Sequence, residues 1–336
     1  MKRLIPVLCA VLTLALSVSA QPQPPLITPA NAQGLTELAH YSAPAALNRA
    51  AFSPDSRFLA AVSDDTALRV WDIARSRQIA EAYEHFSFVK TLVWLPDTLI
   101  TGSWDKTAIQ WQVAENGVPS PQGIIASYDA VIDVLAAPSG PTAAAVFLGV
   151  GDGKVRLFNL TEQDITATWP VPALQVTAVA ISPDARSLLT AGGYPAEGVQ
   201  LWNIAALGDE SAPAREVAYD GTVLAAAFLN AEQFAIGGTD GSVALWSTSG
   251  DPIATLQHTD WVIDLSVSPD GTLLAVARQD GVLALWDITT PAQPDLVVAI
   301  VASADHTLTS AAFSPDGRML VTTDSGGAAR IWTVGG

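Results

Sequence analysis

Seven times along this chain a short alternating apolar segment closes on an aromatic residue. The closures are ALRVWD at Trp71, AIQWQ at Trp111, VRLFN at Phe158, VQLWN at Trp202, VALWS at Trp246, LALWD at Trp286 and ARIWT at Trp332. Successive aromatics stand 40, 47, 44, 44, 40 and 46 residues apart. The fullest copy is His258–Asp287, HTDWVIDLSVSPDGTLLAVARQDGVLALWD. Its period-two alternation, cut by Asp270-Gly271 and Asp280-Gly281, predicts three antiparallel strands joined by tight turns. A unit of this length cannot bury both faces of its own small sheet, so the copies must stack on one another.

A period of roughly 40–45 residues with four strands per unit predicts a ring of blades. The chain resembles the WD-repeat family of β-propellers. That resemblance rests on the seven closures, the first strands ending at Phe52, Ile181, Val267 and Phe313 before an SPD turn, and the Asp-Gly turns. It implies an all-β fold, a seven-bladed propeller of four-stranded antiparallel blades. The expected blades are approximately 45–84, 85–129, 130–173, 174–220, 221–258, 259–304 and 305–336. The last copy ends its third strand at Trp332 and has no room for a fourth, while residues 34–41 form a spare strand at the other end. We therefore expect Leu35–His40 to close the ring by pairing with the strand that ends at Trp332, which also removes an open sheet edge.

Residues 1–20 read as a secretory signal peptide. Lys2 and Arg3 precede an apolar run, Leu4–Val18, and small residues follow at Val18-Ser19-Ala20. The run is shorter than the roughly 20 residues that span a bilayer, and an uncleaved anchor is the alternative. Cleavage after Ala20 would leave no cysteine, because Cys9 is the only one in the chain. Residues 21–33 follow as a linker whose proline-rich part, Gln21–Pro29, predicts an exposed extended segment. The expected location is secreted or periplasmic.

The family resemblance further implies a polar network within each blade, in which a His before the first strand, a Ser or Thr on the second, a turn Asp and the strand Trp are linked. The second copy supplies His85, Ser103 or Thr101, Asp105 and Trp111. The sixth supplies His258, Asp280 and Trp286, with alanines on its second strand. Asp65, Asp152 and Asp240 stand in other turns, and Phe158 replaces the Trp of the third copy. The six tryptophans among the seven closures are expected to pack between blades, and Trp94 to lie in the core.

No nucleophile elbow, HExxH, phosphate-binding glycine loop or EF-hand pattern occurs. The aspartates of VGDGK, GTDGS and RQDGV sit singly on tight turns, where Asp-Gly serves the backbone. His40 and His306, one toward each end, would be drawn together by ring closure but fall short of a metal-ligand set. No cofactor and no metal are expected. Without Lys2 and Arg3 the chain carries 14 basic and 33 acidic residues, a net charge of −19. Such a surface repels nucleic acid and anionic lipid.

The remaining expectation is a protein or peptide partner bound by a monomeric, non-catalytic scaffold. In the family resembled, binding commonly uses the face formed by the loops leading into each first strand and the turns linking the second strand to the third. Aligning the copies places Phe88, Lys90 and Trp104 there from the second, and Trp261, Ile263 and Gln279 from the sixth. Asn48 and Asp64 come from the first, Gln175, Thr177 and Tyr194 from the fourth, and Thr307 and Thr309 from the seventh. Aromatic side chains beside polar groups suit interface anchors. The alternatives are a propeller enzyme of hydrolase or lactonase type, which would need convergent carboxylates or histidines at the channel mouth, and a periplasmic propeller of the translocation-protein type.

Overall fold

The computed structural model describes residues 23–335 except 128, 137–144, 151, 161, 163, 171–175, 193–197 and 205–212. A three-residue 3-10 turn, Ala32–Gly34, leads into β1 (Leu35–Ser42). Blade 1 is β2 (Leu47–Phe52), β3 (Phe58–Ser63), β4 (Leu68–Asp72) and β5 (Arg77–Ala82). Blade 2 is β6 (Val89–Trp94), β7 (Thr98–Ser103), β8 (Thr107–Val113) and β9 (Pro119–Ala126). Blade 3 is β10 (Val131–Ala136), β11 (Ala145–Val150), β12 (Lys154–Asn159) and β13 (Asp164–Pro170). Blade 4 is β14 (Val176–Ile181), β15 (Ser187–Gly192), β16 (Gly198–Asn203) and β17 (Arg215–Val217). Blade 5 is β18 (Val223–Phe228), β19 (Gln233–Gly238), β20 (Ser242–Ser247) and β21 (Pro252–Gln257). Blade 6 is β22 (Val262–Val267), β23 (Leu273–Arg278), β24 (Val282–Asp287) and β25 (Asp295–Val301). Blade 7 takes β26 (Leu308–Phe313), β27 (Leu320–Asp324) and β28 (Ala328–Val334) from the end of the chain.

Each blade is a four-stranded antiparallel sheet, and in blade 7 the fourth strand is β1. Leu35 pairs with Val334 and Ser42 with Ala328, so the ends of the ring are joined by a backbone ladder. The first strands form the inner wall. Each of β2, β6, β10, β14, β18, β22 and β26 touches the next, and β26 touches β2. The fold expected from the repeat is the one observed: seven blades, closed by the N-terminal strand.

Apolar residues fill every gap between blades. Blades 1 and 2 share Val62, Leu68, Val89, Leu99 and Trp111, and blades 7 and 1 share Val321, Ile331, Leu47 and Trp71. Of the closing tryptophans, Trp71, Trp111, Trp202 and Trp332 are buried, while Trp246 and Trp286 are partly buried against the same layers. Trp94 is likewise partly buried, between blades 1 and 2. Trp169, on the outermost strand β13, fills the gap between blades 3 and 4.

The SPD turns have a common local cause. In Ser53, Ser182, Ser268 and Ser314 the hydroxyl donates to the Asp two residues on, at 2.6 Å in each case. The same oxygen accepts the amide N–H at the start of the second strand, at 2.9 Å in all four. The Ser side chain thus replaces the missing backbone partners of a tight turn.

The proline-rich segment departs from the exposed linker expected of it. Ile27 is 2% exposed and Ala32 is fully buried, both in the layer between blades 6 and 7. The Ile27 amide donates to Gly317 O at 2.9 Å, and Arg318 donates to Pro24 O. His40 and His306 are not drawn into one site, because His40 faces Glu37 at 3.6 Å on the outermost strand while His306 packs against the Gly326 turn. Removing residues 34–41 should strip β28 of its partner, lowering the melting temperature by roughly 10 °C or more; an unchanged thermal melt would show that the ladder does not hold the ring.

Candidate functional site

Each inner strand carries a β-bulge at its second residue. The register slips between Leu47 and Arg49, Val89 and Thr91, Val131 and Asp133, Val176 and Ala178, Val223 and Ala225, Val262 and Asp264, and Leu308 and Ser310. A bulge leaves one residue unpaired and re-aims its side chain. Those residues include Asn48, Lys90, Thr177, Ile263 and Thr309, and they line the mouth of the central channel. The channel space there is about 100 Å³, well below the roughly 300–1,000 Å³ of a small-molecule pocket.

On the upper face, where the first-strand entry loops and second-to-third-strand turns meet, blades 1 and 2 assemble five of the expected residues into one cluster. Lys90 Nζ donates to Asp64 at 2.7 Å and to Asn48 Oδ1 at 3.1 Å. Asn48 in turn donates to Asp64 at 2.8 Å and to Val89 O at 2.7 Å. The Lys90 ammonium lies 5.0 Å from the Phe88 ring centroid and 4.8 Å from that of Trp104, a cation–π arrangement. Phe88 and Trp104 are tilted against each other with centroids 5.5 Å apart, and remain 40% and 45% exposed. Phe86, two residues before Phe88 on the same entry loop, is 91% exposed. The sequence alignment missed it, since it holds no strand or turn position; its place next to the network His is the one signal it carries.

The remaining candidates are dispersed. Trp261 is exposed, and its carbonyl accepts the Gln279 amide at 3.0 Å, but they belong to blade 6, three blades round the ring from blade 2. Ile263 and Thr177 belong to the channel mouth. Gln175 and Tyr194 lie outside the described residues. Thr309 is turned inward, donating to Leu47 O and 2.8 Å from Thr323 Oγ1.

Beneath the aromatic cluster lies the polar network of blade 2. His85 Nδ1 is 2.8 Å from Asp105, its Nε2 is 2.8 Å from Thr101 Oγ1, and Trp111 Nε1 donates to Thr101 at 2.9 Å. Asp105 also accepts the Phe86 amide at 2.9 Å, so the buried network pins the exposed ring's backbone. Thr101, not Ser103, is the hydroxyl of this chain. Ser103 instead clasps the two loops, donating to Phe88 O at 2.9 Å, while the Trp104 amide donates to the same carbonyl at 3.0 Å. Burial holds His85 below the usual imidazole range, against the pull of Asp105. Asp105 is held below the usual carboxylate range, because hydrogen bonds from Thr107, the Phe86 amide and His85 outweigh its burial.

Other blades satisfy the turn carboxylate differently, with cations that the sequence alignment overlooked. Buried Arg69 donates to Asp65 at 3.0 Å and to Ser63 at 2.9 Å, and it pairs with Glu81 at 2.7 Å. Arg156 donates to Asp152 at 3.0 Å, and Arg330 to Asp324 at 2.6 Å. Each arginine sits two residues before its closing aromatic. Asp240 takes the Tyr219 hydroxyl, whose pKa burial and Asp240 push upward. Asp280 is held by Arg278 rather than by His258.

The indole partner follows one position on the second strand. Thr101, Thr190 and Thr322 there accept from Trp111, Trp202 and Trp332, each at 2.9 Å. In blades 5 and 6 the register puts Ile236 and Val276 at that place, and the indole N–H groups of Trp246 and Trp286 have no partner. Val276, and not a neighbouring alanine, is therefore what breaks the sixth network. His258 Nε2 is also unpartnered, and its ring meets Trp286 edge-on with centroids 5.6 Å apart. Burial and then Arg278, opposed by Asp280, push His258 down to about 4.

Val276→Thr should supply both orphaned nitrogens and raise stability by about 1 kcal/mol, whereas Thr101→Val should cost about 1–3 kcal/mol by orphaning their counterparts; denaturant midpoints at constant m-value decide this. The His258 pKa is lower folded than unfolded, so the unfolded chain binds the proton first. Stability should fall as pH drops from 6.5 toward about 4, and His258→Gln should flatten that part of the curve. A variant with the parental slope across that window would show that His258 does not set it.

Comparison with known proteins follows the same repeats. The family model "WD domain, G-beta repeat" matches residues 35–72, 250–287 and 298–333. The chain is similar to mouse telomerase protein component 1, 24% identical over 322 residues, covering 80% of this chain and 12% of that protein. It is similar to the Drosophila melanogaster protein LST8 homolog, 28% identical over 244 residues, covering 70% and 74%. It is also similar to Arabidopsis thaliana cell division cycle 20.6, cofactor of APC complex, 27% identical over 254 residues, covering 70% and 56%. The chain thus spans about an eighth of the telomerase component's length. Each matched stretch runs from an outermost strand through the first three strands of the next blade: the chain carries WD repeats, set one strand out of step with its blades.

Proposed function

We propose that this protein is a non-catalytic scaffold that holds a protein or peptide on its upper face, and that it acts after export across a membrane. The observation that carries the binding reading is the exposed Phe88 and Trp104 pair, with Phe86 exposed on the same entry loop. These rings are solvent-exposed, yet their loops are fixed from below by Asp105, Ser103 and the Lys90 contacts. Aromatics held rigid before a partner arrives lose little entropy on binding, which is how interface anchors work. The WD-repeat relatives support the same reading. Two bear the names of assembly parts, a telomerase component and an APC cofactor. Export rests on the charged start, short apolar run and small-residue exit of residues 1–20.

The channel mouth suits a scaffold better than an enzyme. The described residues lining it include two cations, each already facing a carboxylate: Lys90 is held by Asp64, and Arg49 lies 3.9 Å from Asp264, which also accepts the Ala311 amide. The test is capture from envelope and culture fractions of the native cell, with wild type beside Phe86→Ala/Trp104→Ala of unchanged melt. A protein retained by the wild type and lost by the variant is the expected outcome. Equal retention by both would place binding elsewhere, and a native chain recovered there with residues 1–20 attached would refute cleavage at Ala20.

A further inference from the structure

The rim of the disc is made of outermost strands, each paired on one side only. An edge of that kind is a template for another chain unless charge, proline or brevity blunts it. Six blades carry such guards. β1 has Glu37 and His40, β5 has Arg77 and Glu81, and β17 is three residues long with Arg215 and Glu216. β9 is broken by Pro119, Pro121 and Gly123, β13 runs from Asp164 to Pro170, and β21 starts on Pro252 and carries Thr255 and Gln257. Proline removes an amide donor, and a charge meets its own like when two such edges pair.

β25 of blade 6 has no guard after its first residue. Its residues 296–301 read Leu-Val-Val-Ala-Ile-Val. An uncharged aliphatic stretch of this length, rich in β-branched residues and free of proline and glycine, is the composition that pairs strand to strand. β24 is its partner on one side, and among the described residues no backbone group of Leu296–Val301 bonds outside that ladder. Packing within the ring accounts for part of the composition, since Val297, Val298 and Ile300 are partly buried against the layer between blades 6 and 7. It does not account for Leu296 and Val301, which are 52% and 64% exposed, or for Ala299, exposed between them.

We propose that β25 is a self-association edge, where a second copy of this chain adds its own β25 antiparallel and joins two blades into one continuous sheet. Charge selects the occupant and the direction. Two antiparallel copies set only aliphatic side chains opposite one another, and the one charge of the strand, Asp295, falls at opposite ends of the pair, at least about 20 Å from its mate and beyond the screening length. A parallel copy would set Asp295 beside Asp295. The bulge at Val297 re-aims the lower end of the strand, so regular pairing runs over Val298–Val301. Each copy spends its edge on the other, so the contact closes as a two-fold dimer and does not propagate. β23 and β24 separate this edge from the inner strand β22, so the contact goes beyond the scaffold reading of the upper face, and it replaces the monomer expected from the sequence.

Sedimentation equilibrium of the mature protein, residues 21–336, reads this directly. Salt of about 500 mM screens the repulsion between two acidic chains, each with a net charge of −17 in full. The edge is short, so a reversible dimer should appear between about 1 and about 200 μM. Leu296→Lys/Val301→Lys changes two side chains that the fold leaves exposed, and should keep the parental melt while weakening dimerisation roughly tenfold or more. Val301→Lys alone, at the more exposed position, serves if the double variant melts early. Ile124→Lys puts the same charge on the 68% exposed residue of β9 and should leave the dimer intact. The proposal falls if wild type stays monomeric over that range, if the folded β25 variants dimerise as before, or if Ile124→Lys costs as much as they do. Growth past the dimer would equally overturn the two-fold contact.

Discussion

The whole molecule depends on seven small sheets burying one another. No blade here has a core of its own. Each apolar layer is drawn from two neighbours, as Val155 and Trp169 of blade 3 meet Val176 and Trp202 of blade 4. Such an arrangement is stable only when no face is left over, which requires closure. β1 supplies it by pairing with β28 from the far end of the chain, and Ile27 and Ala32 add a second tie between blades 6 and 7. The closing contact is thus made by both termini together, and it converts a one-dimensional array into a single cooperative ring.

Within that ring the polar chemistry is less uniform than the architecture. A turn aspartate recurs because its carboxylate satisfies the backbone amides of a tight turn, as Asp105 does for Thr107 and Asp240 for Ser242. Burying it demands a donor, and the donor varies: histidine in blade 2, arginine in blades 1, 3 and 7, tyrosine in blade 5. Blade 7 moves the carboxylate itself. Asp324, fully buried, stands two places before the usual turn position and accepts from Gly326 and Ala328. The usual position is Gly326, where a Cβ would come within 2.2 Å of the His306 ring. What persists across blades is the requirement to neutralise a buried carboxylate, and several side chains meet it.

The candidate site inherits its shape from these structural devices. The bulge on each inner strand aims one residue at the channel, and the clasp between entry loop and turn sets the aromatic rings above it. In blade 2 one carboxylate serves both ends. Asp105 anchors His85 in the interior and the Phe86 backbone at the surface. The rigidity of the exposed cluster is therefore a consequence of the buried network, and blade 2, the blade with the complete network, is also the one that displays the rings.

The repeat by itself determined the fold. Period, alternation and turn residues are local properties, and a missing strand at one end with a spare at the other leaves one way to close. Local pattern also placed Phe88, Lys90, Trp104, Asn48 and Asp64 on one face, because equivalent positions in equivalent blades must share it. What only the tertiary structure decided is which of them meet. Asn48, Asp64 and Lys90 join across a blade boundary, while Trp261 lies three blades away. Likewise Thr101 rather than Ser103 carries the network, since strand pairing sets that hydroxyl under the Trp111 indole. Arg69, Arg156 and Arg330 were invisible as network members, because a charged residue on a strand normally points to solvent; the neighbouring carboxylate makes the burial of Arg69 and Arg156, and the partial burial of Arg330, tolerable. The proline-rich segment looked like a free linker for a similar reason: Ile27 has no local partner, and its burial exists only once blades 6 and 7 are side by side.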